Sequence, residues 1–154
     1  MSDPNWLNET EAPMWRGQVD MWRRIDREID VQLAGAGLSR AEFELLGPLS
    51  EGPEEGIRPK ELGGIVGWDT SRVAHLLRRM EKRGLIERYD CDGDGRGTVV
   101  RVTVVGRQLM KDAAAGHLTL VRRLFVDQLT DHEVEVLTRI SRRIRHEIDP
   151  TKPR

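Results

Sequence analysis

Apolar positions along this chain recur at two spacings, and the switch between them marks its centre. Over residues 15–33 they repeat every three or four positions, through Trp15, Val19, Trp22, Ile25 or Asp26, Ile29 and Leu33. Arg23, Arg24, Arg27 and Glu28 fill the gaps. This is the period of an amphipathic helix, which Gly35 and Gly37 end. Ser39-Arg-Ala-Glu42 has the form of a capping box, so a second helix follows with Phe43, Leu45, Leu46 and Leu49 inward. Residues 52–56 read as a loop. Pro59 stands where a first helical residue would, and Leu62, Ile65 and Val66 give a short apolar face that Gly63 and Gly64 weaken. Gly67 turns the chain. Asp69 or Thr70 caps the next helix, whose buried stripe is Val73, Leu76, Leu77 and Met80. Gly84 stops it, and the pattern then becomes extended. Residues 85–89 and 98–102 read as strands, joined by the Asp/Gly-rich tip CDGDGRG. Helical spacing returns through Leu109, Ala113, His117, Leu120 or Val121, Leu124 and Phe125. A second capping box, Thr130 with Glu133, opens a last stripe of Val134, Leu137, Ile140, Ile144 and Ile148, which Pro150 stops.

These elements predict a mainly α fold with a small β-wing, a winged helix-turn-helix flanked by long N- and C-terminal helices. Residues 1–154 make one domain, without repeats or a linker. Residues 1–13 form a flexible arm, 38–104 the winged-helix lobe, and 15–35 and 107–149 the flanking helices. A terminal helix with as large an apolar face as residues 15–33 needs a packing partner. Periodicity leaves open whether that partner is the chain's own core or a second subunit.

Composition narrows the class. Charged residues are 33% and aromatics 5%, with no apolar run long enough to span a membrane. The N-terminus lacks the layout of a signal peptide, and the single cysteine, Cys91, fits a reducing cytoplasm. Net charge is only −1, so loose whole-surface binding to nucleic acid is disfavoured, but the positive charge is concentrated. Residues 68–101 hold Arg72, Arg78, Arg79, Lys82, Arg83, Arg88, Arg96 and Arg101 against Asp69, Glu81, Glu87, Asp90, Asp92 and Asp94. The first thirty residues lean the other way.

A helix of this kind fits the major groove of double-stranded DNA, where its N-terminal turn meets base edges. Thr70, Ser71 and Arg72 occupy that turn, and an arginine there can grip guanine at two points. His75, a turn later, reaches a base or a phosphate. Arg78 and Arg79 suit the phosphate backbone, where positive charge releases counterions without reading sequence. Arg96, between two glycines at the hairpin tip, suits the narrow minor groove. Each feature has a plainer reading: a basic face is often only solvated, a hairpin tip only a turn, and winged helices also bind proteins. Order and spacing together favour DNA. Nothing points to an enzyme, a cofactor or a metal: the histidines are scattered, and no nucleophile elbow, phosphate loop or dinucleotide pattern occurs. Cys91 reads as an incidental surface thiol rather than a redox sensor.

The run SRVAHLLRRMEKRGLIERYDCDGDGRGTVVRVTVVGR resembles the signature region of the MarR family of bacterial transcription regulators. Its pieces are Arg79-Met80-Glu81-Lys82-Arg83-Gly84-Leu85, then Asp94-Gly95-Arg96, then Thr103-Val104-Val105-Gly106, with Val102 where the family usually has Leu. The resemblance spans residues 15–148. It implies a homodimer formed through the N- and C-terminal helices, which resolves the alternative over residues 15–33 toward the interface. It implies a cytoplasmic repressor that binds a pseudo-palindromic operator and is open to release by a small phenolic or anionic ligand. It implies Arg96 as the wing arginine, Asp94 as a structural residue bracing the wing, and Thr70, Ser71 and Arg72 as base readers. Trp15, Arg16 and Trp22 are candidates for a ligand pocket, with dimer core and rim as the plainer reading. The alternative function is a winged-helix protein–protein interaction module without specific DNA binding.

Overall fold

The structure, a computed structural model, describes residues 6–90 and 97–149. Helix α1 (Glu11–Gly35) is followed by α2 (Arg40–Glu51), α3 (Pro59–Val66) and α4 (Thr70–Lys82). Strands β1 (Ile86–Asp90) and β2 (Thr98–Val102) come next, then α5 (Val104–Leu124), a 3-10 turn (Val126–Gln128) and α6 (Asp131–Ile148). The chain divides into two compact units, Met1–His117 and Leu118–Arg154.

The first unit is built round Leu33, Leu38, Leu45, Leu46, Leu49, Leu62, Val73, Leu77, Met80 and Leu85, all buried. Each comes from a stripe whose spacing suits its element. In α4 the four apolar positions Val73, Leu76, Leu77 and Met80 are all buried, and the basic residues between them are exposed. The strands pair antiparallel with Ile86 opposite Val102 and Asp90 opposite Thr98. Ile57, just before α3, adds an isolated bridge to Val100, its N–H donating to the Val100 carbonyl at 3.0 Å and its carbonyl accepting from Val100 at 2.9 Å. The wing is thereby stitched to the start of the helix-turn-helix.

Two expectations need correction. Helix α1 begins at Glu11, so residues 11–13 belong to it rather than to a loose arm. The cause is Asn8, whose side-chain oxygen accepts from the Glu11 N–H at 2.8 Å while the Glu11 carboxylate accepts from the Asn8 N–H at 2.9 Å. This reciprocal exchange is the geometry of a capping box. Secondly, Ile65 is exposed, so α3 packs through Leu62, Gly63 and Val66, and of the expected Leu62–Ile65–Val66 face only Ile65 stands outside.

Two polar junctions fix the orientation of α4 and the wing. At the first, the Glu42 carboxylate is 2% exposed. It accepts from the Ser39 N–H at 2.9 Å and the Ser39 hydroxyl at 3.0 Å, which closes the capping box of α2. Its other oxygen accepts from the Arg83 guanidinium at 2.6 Å, and Arg83 also donates to the Gly37 carbonyl at 2.6 Å. Arg83 is the C-cap of α4, so the end of that helix is tied to the α1–α2 turn. At the second junction, the Thr103 hydroxyl donates to the Gly84 carbonyl at 2.6 Å and accepts from the Gly106 N–H at 3.0 Å. A Cβ on Gly106 would lie 2.1 Å from the Leu85 carbonyl oxygen, so only glycine lets α5 approach the wing so closely.

The second unit is simpler. Thr130 and Glu133 form the expected capping box on α6, and Arg122 bridges Asp127 at 2.6 Å. In α6 none of the residues is buried, and Val134, Ile144 and Ile148 are exposed.

Burial of the Glu42 carboxyl pushes its pKa up, but the hydrogen bonds from Ser39 and Arg83 and the Arg83 charge outweigh that, and the net pKa lies below the ordinary 4.5. A lowered carboxylate pKa contributes stability that is present above the unfolded value and lost as pH falls through the folded one. Glu42→Gln is therefore expected to lower stability by about 1–3 kcal/mol near neutrality, the range for a hydrogen-bonded charged group. Wild-type and variant denaturation midpoints should converge as the pH drops below 4.5. A gap that stays constant into acid would contradict this account.

Candidate nucleic-acid interface

The turn between α3 and α4 determines what α4 presents. Gly63 lies against the turn: a Cβ there would meet the Trp68 carbonyl oxygen at 3.0 Å and a Val73 methyl at 3.4 Å. The Trp68 N–H donates back to the Gly63 carbonyl at 2.9 Å, and Gly67 adopts φ +73° between them. Asp69 is the N-cap of α4, its carboxylate accepting from the Arg72 N–H at 2.9 Å, which decides between Asp69 and Thr70 as the cap. The first turn of α4 consequently stands at the surface with Thr70, Ser71 and Arg72 all exposed. His75, Arg78 and Arg79 are exposed further along the helix, on the side away from Val73, Leu77 and Met80. A capped helix end bearing two hydroxyls and a guanidinium is chemically equipped to meet base edges.

The seven described basic residues of the central stretch divide into two groups. Arg83 is bound to Glu42, Arg88 lies 3.2 Å from Glu81, and the Arg101 guanidinium sits 4.5 Å above the Tyr89 ring while donating to the Glu55 carbonyl at 3.0 Å. Those three hold the lobe together. Arg72, Arg78, Arg79 and Lys82 are exposed on α4. Arg96, Asp94 and Cys91 lie outside the described residues.

Three residues at this surface carry no signal in the helical and strand periodicity. Arg58 is the N-cap residue of α3 and is exposed, with its guanidinium 3.7 Å from where a side chain on Gly97 would begin. With Lys60, also exposed, it adds positive charge at the foot of the wing. The signal was present as Arg-Pro-Lys at a helix start. Trp68 was passed over as the opening of the stretch, yet the Arg72 guanidinium carbon lies 3.8 Å from its ring centroid.

The ligand-pocket candidates lie on α1. Trp15 is 59% and Trp22 46% exposed, and Arg16 is exposed beside them. Seven residues separate the two tryptophans, so they share one helix face with Val19 between them. Elsewhere in the first unit, His117 packs against Phe43 with the rings tilted by 51° and their centroids 5.0 Å apart. Burial, followed by the Arg40 charge, holds its imidazole below the usual pKa. Among the described residues no cluster of three His, Cys, Asp or Glu side chains is arranged to hold a metal ion, and no helix is long and apolar enough to cross a membrane.

Known proteins show the same arrangement. The model of the MarR family matches residues 36–97, which run from the α1–α2 turn to the wing. Sco3205 from Streptomyces coelicolor, a MarR family transcriptional regulator solved in complex with DNA, is 30% identical, with a TM-score of 0.88 over 98% of this chain and 95% of that one. AbsC, a MarR family transcriptional regulator from the same organism, is 28% identical, with a TM-score of 0.88 over 96% of this chain and 99% of that one. The transcriptional repressor MprA of Escherichia coli is 25% identical over 117 residues, and the match spans 76% of this chain but only 66% of MprA. A shared winged helix-turn-helix, a matching family model and 30% identity across nearly the whole of Sco3205 have one consequence: the chain belongs to the MarR family of transcription regulators.

Proposed function

We propose that the protein is a homodimeric repressor that binds a pseudo-palindromic DNA operator. The observation that carries the reading is the exposed first turn of α4, where Thr70, Ser71 and Arg72 stand clear of a fully buried apolar stripe. On this reading those three residues meet base edges, and His75 meets a base or a phosphate. Arg78, Arg79, Arg58 and Lys60 neutralise phosphates, and Arg96 enters the minor groove with Asp94 bracing the wing. The Sco3205–DNA complex, formed by a relative 30% identical to this chain, supports DNA as the partner. Base reading by a helix needs no catalytic group, and we read the protein as a cytoplasmic regulator without enzymatic activity.

Dimerisation follows from the apolar rows left uncovered on α1 and α6. Trp15, Val19 and Trp22 on one helix and Val134, Ile144 and Ile148 on the other are exposed. Rows of this size on helices of a regulator are surfaces for a second copy. Residues 1–154 then act as one functional domain, with residues 11–35 and 107–149 serving dimerisation and 38–104 binding DNA. A small phenolic or anionic effector acting near Trp15, Arg16 and Trp22 would release the DNA.

Selection from random duplexes should enrich a palindrome with half-sites about one helical turn apart. Weak, strongly salt-dependent binding without enrichment would instead favour a protein-interaction module. On the enriched operator, Arg72→Ala should lose about 1–3 kcal/mol of discrimination at one base pair per half-site. Arg96→Ala should weaken binding. Arg58→Ala should weaken binding to all sequences alike and reduce the salt slope by about 1 per protomer, an effect measurable by titration at several salt concentrations.

Val19→Asp is expected to shift the protein from dimer to monomer in sedimentation equilibrium, because it sets a charge in the exposed apolar row of α1. A variant that remains wholly dimeric would remove α1 from the interface.

A further inference from the structure

Trp68 is half-buried and packs against the core of the first unit. Its backbone is fixed on both sides: its N–H donates to the Gly63 carbonyl at 2.9 Å, and its own carbonyl oxygen would lie 3.0 Å from a Cβ on Gly63. The ring is therefore located by the α3–α4 turn. Arg72 stands in the first turn of α4, with its N–H held by Asp69. Its guanidinium carbon lies 3.8 Å from the Trp68 ring centroid, within the range of a cation–π contact.

The chemistry of the two contacts is complementary. A guanidinium is planar, and its five N–H groups point outward in that plane. An aromatic ring takes up the face of the group, whereas guanine is gripped through its edge. Stacking on Trp68 thus leaves the base-reading donors available. An arginine loose in solvent samples many rotamers and must give up that freedom when it grips a base. Holding the guanidinium on a fixed ring removes part of that loss before DNA arrives.

We infer that Trp68 is a positioning residue that holds the Arg72 guanidinium ready for a base edge and so sharpens discrimination at the base pair Arg72 reads. The inference rests on the reading of Arg72 as a base reader. It adds a residue that touches no base but sets how strictly one base is chosen.

The test is a double-mutant cycle on the full-length protein, with the duplex enriched from the random pool and the same duplex substituted at the Arg72-dependent base pair. Trp68→Leu should reduce the affinity ratio between the two duplexes by about two- to five-fold, the scale of an exposed cation–π contact. Trp68→Phe, which keeps an aromatic face, should restore most of that ratio. In an Arg72→Ala background Trp68→Leu should cause no further loss of discrimination. A thermal melt reports separately any loss of core packing, which would lower affinity for both duplexes together.

Two results would overturn the inference while leaving Arg72 as the reader. In one, Trp68→Leu lowers affinity for both duplexes equally, and does so again in the Arg72→Ala background. In the other, Trp68→Leu raises discrimination, which would mean that the ring holds Arg72 away from DNA. If Arg72→Ala itself leaves every base preference unchanged, the reading of Arg72 fails and takes the inference with it. A measurement without DNA completes the set. In NMR spectra of the free protein, the Arg72 side-chain Hδ and Nε–H signals should be displaced by the Trp68 ring current and should return to ordinary positions in Trp68→Leu. Signals already at ordinary positions in the wild type would also overturn it.

Discussion

The buried carboxylate of Glu42 is the constraint on which the placement of the recognition helix depends. It closes the start of α2 through Ser39 and the end of α4 through Arg83, so one side chain sets the positions of two helices. The arrangement is effective because the two partners differ in exposure: Glu42 is almost wholly buried, whereas the Arg83 side chain is 42% exposed. The desolvation cost falls mainly on the carboxylate, which several donors satisfy, and the guanidinium keeps part of its hydration. Arg40 continues the network on the other side, reaching Asp26 at 2.6 Å and Asp30 at 2.7 Å on α1. Polar contacts thus run from α1 through the start of α2 to the end of α4.

The wing is oriented by a different device. Thr103 holds the Gly84 carbonyl and caps the start of α5, and Gly106 lets α5 lie against the Leu85 carbonyl. The chain leaves α4 at Gly84 and returns from the wing at Thr103, so both ends of the hairpin are fixed at one point. The Ile57–Val100 bridge fixes its flank. The described strands of the hairpin are therefore anchored at their base by Thr103 and along one flank by the Ile57–Val100 pair.

Much of this was legible in the sequence, for reasons that can be named. Both capping boxes and the Val73–Leu76–Leu77–Met80 stripe are local patterns, and each holds in the structure. The early start of α1 is equally local, since Asn8 and Glu11 have capping-box spacing, but two prolines nearby obscured it. What could not be read were pairings across long stretches of sequence. Arg83 with Glu42, Ile57 with Val100 and Arg101 with the Glu55 carbonyl join residues more than forty positions apart. No periodicity encodes such pairs. The same limit applied to the candidate site. The basic residues looked equivalent in sequence, and only tertiary partners separate those that brace the lobe from those that face outward.

That separation bears on how a chain of nearly neutral charge can address DNA. Arginine has two uses here, and both depend on its planar, permanently charged group. Where a carboxylate, a carbonyl or an aromatic ring is within reach, the guanidinium is taken up by the fold, as for Arg83 and Arg101. Where the helix faces outward, it remains available, as for Arg78 and Arg79. Arg72 belongs to both groups, since a ring takes its face and leaves its donors open. Among the described residues of the lobe, the cations that face outward without being taken up by the fold are Arg72, Arg78, Arg79 and Lys82 on α4 and Arg58 and Lys60 at the start of α3. On the reading of the protein as a DNA-binding regulator, these six cations of one copy would neutralise only a few phosphates. Two copies held at a fixed separation engage a palindrome as a single event, and the second contact then proceeds at a high effective concentration without any added charge. On the reading of the protein as a dimer, the exposed apolar positions of α1 and α6 are the surfaces that would hold two copies together.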